Sequence, residues 1–149
     1  MSHPAVPDRL RGVSIRGYRL VLILLSASAS YVGLWALLAP RSFFASFPGL
    51  GRSWVAVDGP FNEHLVRDVG ALYLALLTLT VAAAVRPEPG RVRLAGLAWL
   101  VFSLPHLAYH ADHLRLYGDL NRLLNLAALV GIVALAAALF LPVREDLRI

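Results

Sequence analysis

The sequence predicts an all-α, integral membrane four-helix bundle in which the helices run alternately up and down. The chain of 149 residues is 58% hydrophobic and 15% charged, with a mean hydropathy of +0.67. A soluble domain is about half apolar and a quarter charged. The excess apolar residues fall in four runs, each long enough to cross a hydrocarbon core of about 30 Å as a helix. We therefore expect one transmembrane domain, residues 1–149.

The four predicted spans are separated by connections of very different length. They occupy residues 18–38, 64–85, 93–114 and 121–141. Short connections make neighbouring helices antiparallel, which favours the up-and-down order. Small residues four apart, Ala29 with Gly33 and Ala127 with Gly131, predict that helix backbones approach each other closely.

The connection between the first two spans, residues 39–62, is long and rich in aromatic side chains. These are Phe43, Phe44, Phe47, Trp54 and Phe61, and aromatic rings favour the headgroup level of a membrane. Interspersed prolines and glycines break the connection into short pieces. It is predicted to be an interfacial segment that caps the bundle, and it could also serve as a lid over a site there.

The charges predict an orientation and exclude one class of partner. All fourteen basic residues are arginine, and nine of them lie on the side of the two termini. The positive-inside rule then makes both termini cytoplasmic. Arginine without lysine, together with abundant alanine, is typical of a high-GC bacterial genome, so we expect a multi-pass protein of the bacterial cytoplasmic membrane. The arginines flank the apolar runs and form no patch with interleaved aromatics, so nucleic acid is not an expected partner.

Three of the five histidines lie on one face of the third span, near its outer end. His106, His110 and His113 are spaced i, i+4, i+7, within about 60° of arc on a helix. The outer ends of the second and fourth spans also carry polar residues. The further polar residues of this region are Glu63, His64, Arg67, Asp68, Asp112, Asn121 and Asn125. Ionisable groups in a membrane persist where they face the bundle interior and pair, so we expect these groups to meet.

Histidines four apart on a helix can bind one transition metal, and the absence of cysteine excludes thiolate ligands. The predicted metal ligands are His64, His106, His110 and His113. Such a nitrogen-rich site suits copper, zinc or iron. The predicted residues that would orient these ligands are Glu63, Arg67, Asp68, Asp112, Asn121 and Asn125. Two alternatives stay open, namely haem held by facing histidines and a hydrogen-bonded network without a cofactor.

Three sequence segments carry a resemblance to a known group. They are NEHLVRDVGALYLAL, PHLAYHADHL and LNLAAL, within residues 62–130. Their pattern resembles small four-helix membrane proteins of actinobacteria, loosely similar to the DoxX-like group, which has no settled activity. The motif residues are Asn62, Glu63, His64, Arg67, Asp68, His106, His110, His113 and Asn125. The resemblance implies the same fold and a site at these positions, and it implies no particular reaction.

Two functions compete on these observations. One is a membrane metalloprotein with its site at the outer end, with redox chemistry on a lipophilic substrate or quinone as one use. The other is a non-enzymatic subunit of a larger membrane complex or homo-oligomer, in which the polar cluster is a structural network. A channel is disfavoured because the inner halves of the spans have almost no polar lining.

Overall fold

The computed structural model describes residues 13–142 and confirms the all-α, four-helix prediction. Its long helices are α1 (Ile15–Leu38), α3 (Glu63–Val85), α4 (Pro89–Asp112) and α5 (Asp119–Ala138), and all four are long and apolar enough to cross a membrane. The α1–α3 connection contains a short helix α2 (Pro40–Ser46) and a two-stranded hairpin, β1 (Pro48–Gly49) and β2 (Arg52–Ser53). We call the end of the bundle with this connection the loop end, and the opposite end the terminal end.

Local chemistry explains where the helices begin. The Ser14 hydroxyl accepts a hydrogen bond from the Gly17 amide at 3.0 Å, which caps α1. The Asn62 side chain does the same for α3 through the Leu65 amide. Pro89 occupies the first position of α4, where a missing amide proton costs nothing. α4 therefore begins four residues before the predicted start of the third span.

The closest helix pair is α1 with α3, which meet through glycine. A Cβ atom added to Gly70 would lie 2.7 Å from the Leu37 nitrogen and 2.9 Å from the Gly33 carbonyl oxygen. The packing predicted for Gly33 is therefore confirmed, with Gly70 as its partner. The packing predicted for Gly131 is wrong, because a Cβ atom there would meet no atom of the described residues within 4 Å.

The terminal end of the bundle is filled by a tightly packed core. Trp99 is fully buried there, and its indole donates a hydrogen bond to the Thr80 hydroxyl at 2.8 Å. Thr80 in turn donates to the Leu76 carbonyl. Tyr18 closes the base of the bundle by donating to the carbonyl of Leu141. The rest of this core is almost entirely apolar.

At the loop end, the α1–α3 connection folds over the helices, so the predicted cap is present. Phe47 lies at the centre of an aromatic cluster, with ring centroids 4.8 Å from Phe43 and 6.2 Å from Trp54. Asn121 of α5 accepts hydrogen bonds from the Arg52 guanidinium and, at 3.2 Å, from the Trp54 indole. These two contacts tie the connection to α5.

Candidate functional site

A cavity of about 630 Å³ lies at the loop end of the bundle, between the helices and the connection. Its walls are mainly apolar. Wall residues of the helices include Val32, Val66, Val69, Ala128, Leu129 and Ile132, and the connection adds Phe43, Phe44, Phe47, Trp54 and Val55. The cavity extends to Tyr73, ten residues into α3 and therefore about 15 Å from the start of that helix. The cavity therefore reaches well into the segment of α3 that is apolar enough to cross a membrane.

A few polar side chains interrupt the apolar wall. His106 and His110 come from α4, Asn125 from α5, and Asp58 from the connection. Asn125 is only 4% exposed, and its Oδ1 atom has no hydrogen-bond partner within residues 13–142. The buried Oδ1 atom of Asp58 likewise has no partner among these residues. Buried acceptors without donors are uncommon, because each such group carries its full desolvation cost.

The two cavity histidines are in direct contact, as their i, i+4 spacing predicts. The ring centroids of His106 and His110 are 4.6 Å apart. Phe102 stacks on His106 from the terminal side, with a centroid separation of 5.2 Å. The pair therefore lies between an aromatic base and the more polar mouth of the cavity.

Tyr117, just before α5, orients the outer histidine. Its hydroxyl donates to the Trp54 carbonyl at 3.0 Å, and its oxygen lies 3.4 Å from Nδ1 of His110. Burial, with the Asp58 carboxylate nearby, raises the pKa of Tyr117 to about 12. The hydroxyl therefore keeps its proton at neutral pH, with the Trp54 carbonyl and the Asp58 carboxylate as the acceptors next to it. In the tautomer of His110 that carries its proton on Nδ1, this nitrogen donates to the Tyr117 oxygen and Nε2 is an acceptor.

The polar residues at the start of α3 do not join this cavity. His64 pairs with Asp68 at 3.2 Å, and their side chains are 82% and 60% exposed. Arg67 pairs with Glu63 at 2.9 Å and also donates to the Leu37 carbonyl. The cavity face of α3 carries its apolar residues instead, and on a helix these lie opposite His64 and Asp68.

The other residues predicted for the site differ in whether they line the cavity. His113 lies with Nδ1 2.7 Å from the Tyr109 carbonyl oxygen and stacks on the Tyr109 ring. Asp112 is exposed at the end of α4. Asn121 holds the connection, as described above, and Asn125 is the one predicted orienting residue that lines the cavity.

The four histidines predicted as metal ligands are therefore split. Within residues 13–142, no group of three or more His, Asp or Glu side chains could hold a metal ion. His106 and His110 lie together, whereas His64 pairs within its own helix and His113 lies against Tyr109. Metal binding stays a prediction, and it now depends on two imidazoles instead of four.

Two residues of the site were missed by reasoning from the sequence. Asp58 is the only acidic residue in residues 39–62, and it stands in the segment VDGPF. A single carboxylate among aromatic residues was a usable signal, but the adjacent Gly-Pro pair marks an ordinary turn. Tyr117 lies in the short connection before α5 and carried no periodic signal.

Together, the fold and the cavity define a helical integral membrane protein with a ligand-sized space at one end of its bundle. No family model, curated protein or solved structure matches the chain. The resemblance to small actinobacterial membrane proteins therefore stays a prediction.

Proposed function

We propose that the protein binds a small lipophilic molecule in the loop-end cavity. The observation that carries this proposal is a space of about 630 Å³ with apolar walls and a few convergent polar groups. Small-molecule sites are typically clefts of about 300–1,000 Å³ with this composition. The depth of the cavity favours a molecule that partitions into lipid. With both termini in the cytoplasm, as the arginines favour, the cavity belongs to the outer leaflet.

Ligand binding can be tested in lipid nanodiscs through the fluorescence of Trp54, which lines the cavity. We expect saturable quenching by decylubiquinone or a saturable signal change with 1-dodecanol. Ala128→Phe fills the cavity and should weaken binding at least tenfold, which is a loss of about 1.4 kcal/mol.

The matched control is Ala127→Phe, because Ala127 is exposed and does not line the cavity. It should bind both probes like the wild type. Trp54→Phe should remove the fluorescence change caused by the ligand, which would identify Trp54 as its source. A signal that never saturates, or that falls equally in the Ala127 and Ala128 variants, would contradict the proposal.

A second candidate function is metal binding at the same cavity, favoured by the contact between the His106 and His110 rings. Two imidazoles from one helix would supply two ligands for copper, zinc or iron, and the other positions would be open to water or a substrate. This candidate includes the redox role predicted from the sequence. The accessory-subunit alternative requires neither a ligand nor a metal.

Elemental analysis of detergent-purified protein tests the metal candidate, with an absorption spectrum to separate haem from a bare ion. We expect stoichiometric metal that is lost in His106→Ala and in His110→Ala. His64→Ala is the control and should retain the metal, since His64 lies outside the cavity. Protein that stays metal-free after supplementation with each ion would exclude this candidate.

A further inference from the structure

We propose that the ligand of the cavity carries a protonated amine as its head group, bound by Asp58 and Asn125. This inference depends on the proposed function and specifies its ligand class. Its starting point is the pair of buried oxygens without donors, Asp58 Oδ1 and Asn125 Oδ1. Both residues line the same cavity, one from the connection and one from α5.

The hydrogen-bonding needs of these oxygens select among head groups. A quinone, ester or ketone presents only acceptors and would leave both oxygens unpaired, at a cost of about 1–3 kcal/mol each. A primary ammonium presents three donors and could serve both. In its Nδ1-protonated tautomer, in which Nδ1 faces Tyr117, His110 adds a further acceptor through Nε2.

The charge of the cavity favours a cation as well. Among the described residues, Asp58 has no ion-pair partner within 4.0 Å, and Arg52, a cation of the same connection, donates to Asn121 instead. A carboxylate in an apolar site is strongly stabilised by an opposite charge that also donates hydrogen bonds. An ammonium group bound beside Asp58 would supply both the opposite charge and the hydrogen-bond donors.

The aromatic residues of the connection contribute a further attraction. Phe43, Phe47 and Trp54 form part of the cavity wall on the same side as Asp58. Cations are attracted to the faces of aromatic rings, and most strongly to those of tryptophan. With the amine near the connection, the apolar walls towards Tyr73 and Ile132 would hold an alkyl chain. The ligand class is therefore a long-chain amine.

The test compares dodecylamine with 1-dodecanol, which share a chain and differ in the head group. Binding is measured by Trp54 fluorescence in nanodiscs of zwitterionic phosphatidylcholine, with protein-free discs as the baseline for partitioning. We expect the wild type to bind dodecylamine at least tenfold more tightly than 1-dodecanol. Asp58→Asn should weaken dodecylamine binding at least tenfold and so abolish this preference.

Asp112→Asn is the matched control, because Asp112 is exposed and lies outside the cavity lining; it should keep the wild-type preference. Equal binding of the two probes by the wild type would overturn the amine inference but support the proposed function. Saturable binding of neither probe would overturn both. The wild-type comparison requires no substitution, so it decides the question even if Asp58→Asn fails to fold.

Discussion

Replacing Gly70 by leucine should destabilise the bundle by about 2–3 kcal/mol, the upper range for overpacked sites. The atoms that a Cβ at this position would meet are backbone atoms of Leu37 and Gly33, at 2.7 and 2.9 Å. Backbone atoms cannot turn aside as a flexible side chain can, so α1 and α3 must separate. The expected result is a lower thermal midpoint in detergent and a lower resistance to unfolding by sodium dodecyl sulfate.

Gly131→Ala provides the control for this prediction. A Cβ atom there meets nothing within 4 Å, and alanine favours a helix more than glycine does. This variant should be at least as stable as the wild type. Equal stability losses at positions 70 and 131 would show that the α1–α3 contact is not as close as described.

Truncating Trp99 to alanine should cost about 3–5 kcal/mol, as for other fully buried tryptophans. Trp99 is completely inaccessible and contributes the largest side chain of the core. Its removal leaves a void and takes the hydrogen bond from Thr80, which by itself is worth only about 0.6 kcal/mol inside a membrane. Unfolding by sodium dodecyl sulfate should therefore begin at a much lower detergent fraction.

One variant separates the packing and hydrogen-bond contributions of Trp99, and a second variant is the control. Trp99→Phe keeps most of the ring volume and should lose less than half as much stability as Trp99→Ala. Val101→Ala, at a position 67% exposed on the same helix, should be nearly neutral. A neutral Trp99→Ala variant would mean that the terminal end is not the packed core described above.

The helices could be predicted from the sequence because a membrane leaves few choices for an apolar run of about 20 residues. The predicted starts differ from the observed ones by one to four residues. The largest difference is at Pro89, which begins α4 four residues before the predicted start of the third span. The fold of the α1–α3 connection was not predictable in detail, since its proline and glycine positions are compatible with many loop conformations.

The candidate site was predicted in part, and the reason for the error is physical. Helical spacing shows which residues share a face, but it does not show which neighbour that face meets. His106, His110 and Asn125 face the cavity as expected. His64 and Arg67 instead find partners four residues away on their own helix, Asp68 and Glu63. Ion pairs at an exposed helix end satisfy these groups without any contact to α4.

The packed terminal end closes the cavity on the side opposite the loop end. Trp99 and the side chains around it occupy the space between the cavity and the far side of the membrane. A molecule bound in the cavity, as we propose, would therefore enter and leave at the loop end, and its exchange would not carry it to the terminal end. Occupancy of the cavity would then depend on the concentration of that molecule at the loop end alone.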